Sequence, residues 1–78
     1  KTTKFTVMLP ENTNISVGIF DVSGRKIKDI YKGKITKGKH IFNWNGKNVY
    51  GEETPSAIYF IVVDTPGKRI SRKVTYLR

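Results

Sequence analysis

The sequence predicts an all-β fold, a small sandwich or barrel of six or seven short strands. Hydrophobicity repeats every second residue and nowhere with helical spacing. Clusters of Gly, Pro, Asn and Asp interrupt that alternation every 8–12 residues or so, the spacing of turns in small β domains. One stretch, AIYFIVVD, is apolar on both phases, as a strand inside a layered structure must be.

The elements follow in order. In KFTVMLP, Phe5, Val7 and Leu9 alternate with Thr6 and Met8, and Pro10 ends the ladder because it has no N–H to donate. In NISVGIFD, Ile15, Val17 and Ile19 share one face, with Ser16 and Gly18 on the other. The turn DVSGRK comes next. Asp21 can accept hydrogen bonds from the turn backbone, and Gly24 supplies the positive φ of a short hairpin. RKIKDIYK is a strand in which Ile27 and Ile30 break strict alternation, the mark of a bulge. GKITKG, residues 33–38, reads as a turn. KHIFNWN places His40, Phe42 and Trp44 on one face, and GKNVYGEETPS is a loop in which Gly46 and Gly51 take backbone angles other residues avoid. AIYFIVVD is the central strand. DTPGK, residues 64–68, has the Pro-Gly order that type II turns prefer. RISRKVTYLR closes the chain as an alternating edge strand. No internal repeat, linker or low-complexity tract is visible.

Size and charge narrow the function. A chain of 78 residues buries only about 60% of its unfolded surface, and with no cysteine to staple it the core must rely on packing. A deep catalytic pocket would remove contacts that such a core can barely spare, so neither an enzyme nor a cofactor is expected. No stretch reaches the ~20 apolar residues of a membrane span. The chain starts at Lys1 rather than Met, which reads as one module, residues 1–78, excised from a longer protein. Its net charge of +9 suits nucleic acid, an acidic polysaccharide, a membrane surface or plain solubility. Lys26, Lys28, Lys32, Lys34, Lys37 and Lys39 mark strand edges and turns, where lysine blocks edge-to-edge pairing.

The sequence offers four candidate sites. Asn43, Asn45, Asn48, Glu52 and Glu53 offer oxygens for calcium, but Lys47 and Asn48 stand where an EF-hand loop needs an acid and a glycine. The alternative is a hinge anchored in the core by Trp44 at one end and Tyr59 at the other. His40 is the single histidine, on the face of Phe42 and Trp44, with no serine or carboxylate placed to complete a triad. Nucleic acid would need outward aromatics, whereas Phe5, Phe42, Trp44 and Tyr59 fall on the inward phase. Phe20 and Phe60 lie on the polar phase and form an exposed patch suited to a sugar or a neighbouring domain.

TKFTVMLPE, ISVGIFDVSGRKI, KGKHIFNWNGKNVYGEETPSAIYFIVV and ISRKVTYLR, spanning residues 3–78, together resemble the C-terminal sorting domains of type IX secretion cargo. The same pattern occurs in the immunoglobulin-like module related to the flagellar hook-capping protein. The strongest blocks are DVSGRK, Gly38-x-His40 leading to Trp44-Asn45-Gly46, and Gly51 followed by Pro55-Ser56-Ala57-Ile58-Tyr59-Phe60. Ala57 stands where Gly is usual, Asn45 where Asp is usual, and the upstream Asn-Pro-Phe segment is missing.

The resemblance implies a small immunoglobulin-like β-sandwich, six to seven antiparallel strands, at the C-terminus of a bacterial hydrolase that is secreted or held at the cell surface. Its function would be export or surface attachment by the type IX system. Its partners would be the parent protein's catalytic domain and the outer-membrane secretion machinery. Polysaccharide is a further candidate partner, nucleic acid and membrane insertion are not expected, and neither is a cofactor or metal. Arg72, Lys73 and Arg78 would be read by a sorting receptor, with Phe20 and Phe60 as a docking patch. Asp21, Gly24, Trp44, Gly46, Gly51 and Tyr59 would be structural. The alternatives are a docking or carbohydrate-binding module of a secreted enzyme and a basic nucleic-acid-binding domain.

Overall fold

A computed structural model describes residues 2–77. Their six strands are β1 (Thr3–Leu9), β2 (Thr13–Phe20), β3 (Lys26–Ile35), β4 (Gly38–Trp44), β5 (Ala57–Thr65) and β6 (Lys68–Tyr76), with no helix among the described residues. All pairings are antiparallel, in a two-stranded sheet β1–β4 and a four-stranded sheet β3–β2–β5–β6. The fold is the expected small β-sandwich.

Alternation decides what faces inward. Ile15, Val17 and Ile19 from β2 and Tyr59, Ile61 and Val63 from β5 meet Leu9, Ile35, Trp44 and Tyr76 in one buried cluster. Phe5, Val7 and Phe42 of the short sheet pack against it half-buried. β5 is central, and its outward Val62 is also buried, which accounts for the unbroken apolar run. The β2–β3 register slips twice, at Val17/Gly18 and Ile19/Phe20, and the residues passed over are Ile30 and Ile27. Both pack against the core, so the broken alternation is a pair of bulges that turns two extra apolar side chains inward.

Two turn readings need correction. Residues 33–38 are not a turn: β3 continues to the buried Ile35, and residues 36–37 alone carry the chain from the long sheet to the short one. Gly33, with φ of 141°, sits inside the ladder opposite Ile15 in a conformation that only glycine adopts readily, so its presence did not signal a turn. The second turn is tight, with Thr65 paired to Lys68, but Gly67 does not take the positive φ that type II requires. Proline at the preceding position suits type I equally and could not choose between them.

The two sheets are locked at one end by aromatics. Trp44 is 1% exposed and its ring centroid lies 5.1 Å from those of both Tyr59 and Tyr76. The indole N–H donates to the Lys47 carbonyl (3.0 Å), and the Tyr59 hydroxyl donates to the Pro55 carbonyl (2.7 Å). Gly46 closes the cluster. Its φ is 78°, and a Cβ there would lie 1.9 Å from the Tyr76 hydroxyl oxygen. Its carbonyl accepts from both the N–H (2.9 Å) and the hydroxyl (2.8 Å) of buried Thr54. With Lys47 and Glu53 bridged, residues 45–56 form a small ordered hairpin.

Trp44→Ala should therefore cost ~3–5 kcal/mol and leave little folded protein, because the indole fills the sheet-to-sheet contact. Tyr50 is 83% exposed, so Tyr50→Ala should change stability by less than about 0.5 kcal/mol. Urea melts of the two variants against the parent measure both.

Candidate functional site

The outward face of the long sheet gathers three of the sequence-predicted partner residues. Lys26, Phe20, Phe60 and Lys73 are opposed in one register line across β3, β2, β5 and β6. The two phenylalanines do not stand free, however; both are half-buried. The Phe20 ring lies back over Gly18, where a Cβ would come within 3.2 Å of the ring edge, and the Lys26 ammonium sits 5.8 Å from the Phe20 centroid. A side chain at Gly18 would press on that ring, and the expected open patch is a partly covered surface. Lys26 is also held by Asp29 (2.9 Å) and Arg69 lies 3.4 Å from Asp64, both exposed pairs of small energetic weight. Lys73 forms no ion pair among the described residues.

Arg72 belongs elsewhere. It is opposed to Ile61, on the core-facing phase of β6, while Lys73 is opposed to Phe60 on the outer phase. Alternation along a fully paired strand therefore puts Arg72 and Lys73 on opposite faces of the sheet. β6 pairs along its whole length with β5 and ends in the buried Tyr76. Arg78, the third predicted cation, lies outside the described residues.

The most ordered polar groups are two turns of one design. In residues 21–25 the Asp21 N–H donates to the Arg25 carbonyl and the Gly24 N–H to the Asp21 carbonyl, both at 3.0 Å. Asp21 Oδ1 accepts the N–H groups of Ser23 and Arg25 (both 3.0 Å) and the Ser23 hydroxyl (2.7 Å). In residues 48–52 the Asn48 N–H donates to the Glu52 carbonyl (2.9 Å) and the Gly51 N–H to the Asn48 carbonyl (3.0 Å). Asn48 Oδ1 accepts from the N–H groups of Tyr50 (2.9 Å) and Glu52 (3.0 Å). Gly24 and Gly51 take matching positive φ of 89° and 79°. Even the closing pairs correspond: Arg25 Nε donates to Asp21 Oδ2 (3.1 Å), and Asn48 Nδ2 to Glu52 Oε1 (3.1 Å). The shared pattern, Asp/Asn-Val-x-Gly, stands in DVSGR and NVYGE, yet it is too short to show as a sequence repeat.

These bonds decide what the polar groups can do. The hydrogen bond from the Ser23 hydroxyl, then those from Arg25, hold the Asp21 carboxyl down from 3.8 to about 2. The amide oxygen of Asn45 accepts the Lys47 N–H (3.1 Å), and that of Asn48 already takes two N–H donors. The loop spends those oxygens on its own backbone, and among the described residues no three His, Cys, Asp or Glu gather to hold a metal. His40 Nε2 lies 2.8 Å from the Thr36 carbonyl oxygen and bonds locally. Sequence reading took Asn48 as a possible calcium ligand and missed its turn role, and it missed Thr54 and Tyr76, because these roles depend on contacts between distant segments or on the turn's own geometry.

Comparison with known proteins adds the following. The model of the FlgD Ig-like domain family matches residues 1–68. Among solved structures, the chain is similar to FlgD from P. aeruginosa, with 28% identity and a TM-score of 0.76, over 94% of this chain and 58% of that one. No curated protein matches the sequence. These findings correct the functional reading. The matching family is that of FlgD, not the type IX sorting domains, so a sorting or accessory module of a secreted hydrolase is overturned. The hydrolase domain and the outer-membrane secretion machinery fall with it as partners.

The turns generate two predictions. Because folding lowers the Asp21 pKa, ionised Asp21 contributes stability that is complete above 3.8 and lost as pH falls through about 2. Asn48 does the backbone work of Asp21 without a charge, so Asp21→Asn should keep the turn, and the stability gap between parent and variant should shrink over that acid window. Denaturant melts at stepped pH read it. Gly24→Ala and Gly51→Ala should each cost about 1–2 kcal/mol, the penalty for a Cβ in left-handed backbone, and thermal melts should place the two losses side by side.

Proposed function

The chain belongs to the family of FlgD Ig-like domains, and from that premise we propose that it is a non-catalytic assembly module of a flagellar hook-capping protein, working outside the cytoplasm. The observation that carries this reading is likeness to FlgD over nearly the whole chain at 28% identity. The chain spans 58% of the length of that structure, which fits one module of a larger protein. The chemistry of the side chains supports a structural role. Asp21, Asn48 and His40 are engaged in local bonds that shape turns and connections, and Phe5, Tyr31, Phe42, Trp44, Tyr59 and Tyr76 serve the core.

Exchange of the Ig-like domain of P. aeruginosa FlgD for this chain tests the proposal. Hooks and swimming should be retained by the chimera and absent when the domain is deleted. A chimera that is folded and exported yet builds no hooks would overturn the reading.

A further inference from the structure

The six strands divide four and two, so the short sheet covers only part of the long one. Among the described residues β1 pairs with β4 alone, and its other edge carries no ladder. Beyond that edge runs a groove of about 450 Å³ between β1 and the inner face of β5 and β6. Phe5, Val7, Ile61, Val63 and Ile70 make it apolar, and among the described residues Arg72 is the one charged group that lines it. Ile70, on the core-facing phase opposite Val63, is still 42% exposed because nothing of the short sheet reaches over it. The opposite edge of the short sheet, on β4, faces a larger cleft of about 630 Å³ lined by Asn12, Tyr31, Lys34, His40 and Phe42 among others. There the Tyr31 ring reaches across to Phe42 (5.6 Å), and residues 36–37 link the two sheets.

We propose that the free edge of β1 accepts an extended segment of an acidic partner protein as a third strand of the short sheet, its alternate apolar side chains filling the groove and a carboxylate meeting Arg72. The edges of this molecule are unequally guarded. β3 carries two bulges and Lys26, Lys28, Lys32 and Lys34, and β6 carries Lys68, Arg69, Arg72 and Lys73, devices that discourage strand addition. β1 pairs in unbroken register through all seven residues, with Lys4 its sole charge. An edge without a bulge and with a single charge, beside an apolar groove, is the acceptor geometry of strand addition, in which main-chain bonds supply affinity and pockets for alternate side chains supply choice.

Arg72 selects among occupants. It forms no ion pair among the described residues, and it stands on the same phase as the apolar groups an added strand would cover. A second copy offering its own β1 brings no carboxylate, and two chains of +9 repel. The strand-length segments of this sequence are already placed, and residues 45–56 are held by their own bonds. A partner strand bearing an acid satisfies both the groove and the charge. The inference rests on the edge, the groove and Arg72, and not on the hook-capping reading.

The test uses 15N-labelled protein and a seven-residue capped peptide with valine, glutamate and valine at its second, fourth and sixth positions and threonine elsewhere. Amide shifts should cluster in β1 and around Ile70 and Arg72, and β1 amides should gain exchange protection. Replacing the glutamate by glutamine should weaken binding about threefold to fivefold, the size of a partly exposed ion pair, and Arg72→Gln should erase that preference. Shifts confined to the Phe20–Phe60 face or to β3, no perturbation at about 5 mM peptide, or a glutamate preference surviving Arg72→Gln would overturn the proposal. Sedimentation of the free protein as a dimer with β1 already protected would also overturn it, assigning the edge to a second copy.

Discussion

The packing of Trp44 between Tyr59 and Tyr76 is the contact on which the rest of the sandwich depends. A two-stranded sheet is marginal in water by itself. β1 and β4 persist because the indole at the end of β4 is buried among side chains of β5 and β6, and because Phe5 and Phe42 lie on the same core below it. Gly46 follows from that contact: the chain must turn immediately beyond the tryptophan, and the Tyr76 hydroxyl fills the space where a side chain would go. The hairpin of residues 45–56 then covers the cluster, fastened by the indole N–H, the Tyr59 hydroxyl and Thr54.

Much of this was legible in the sequence because it is local. The inward phases of Phe5, Phe42, Trp44 and Tyr59 follow from period-two alternation, and the bulges in β3 follow from two isoleucines too many for it. The Asp21 turn follows from the hydrogen-bonding habits of a carboxylate ahead of a glycine. Sheet membership was not legible. Nothing in the alternation of KHIFNWN says that it pairs with β1 rather than with the strand before it, since register across a sandwich is chosen by distant partners. Gly33 misled because glycine serves turns and unusual strand backbone alike. Tyr76 read as one more alternating residue of an edge strand, and its burial appears only when β6 is laid beside β5 with Trp44 above it.

Function was legible to a lesser degree, for a related reason. The blocks that carry the family likeness, DVSGRK, WNG and PSAIYF, are the pieces that build the turns, the aromatic lock and the central strand. They report how the sandwich is made, and modules with different partners are made the same way. Arg72 and Lys73 lie beyond residue 68, where the family match ends.

The aromatic lock also sets how the domain meets a mechanical load. Thr3 pairs with Trp44 and Tyr76 packs on the same indole, so the first and last strands reach the same end of the sandwich. Tension applied across those two strand ends pulls the short sheet away from the long one instead of sliding strands past each other. The ladder hydrogen bonds lie within each sheet and take little of that force. On that geometry the Trp44 cluster, at the same end as both strand ends, would meet such a force before the ladders of either sheet do.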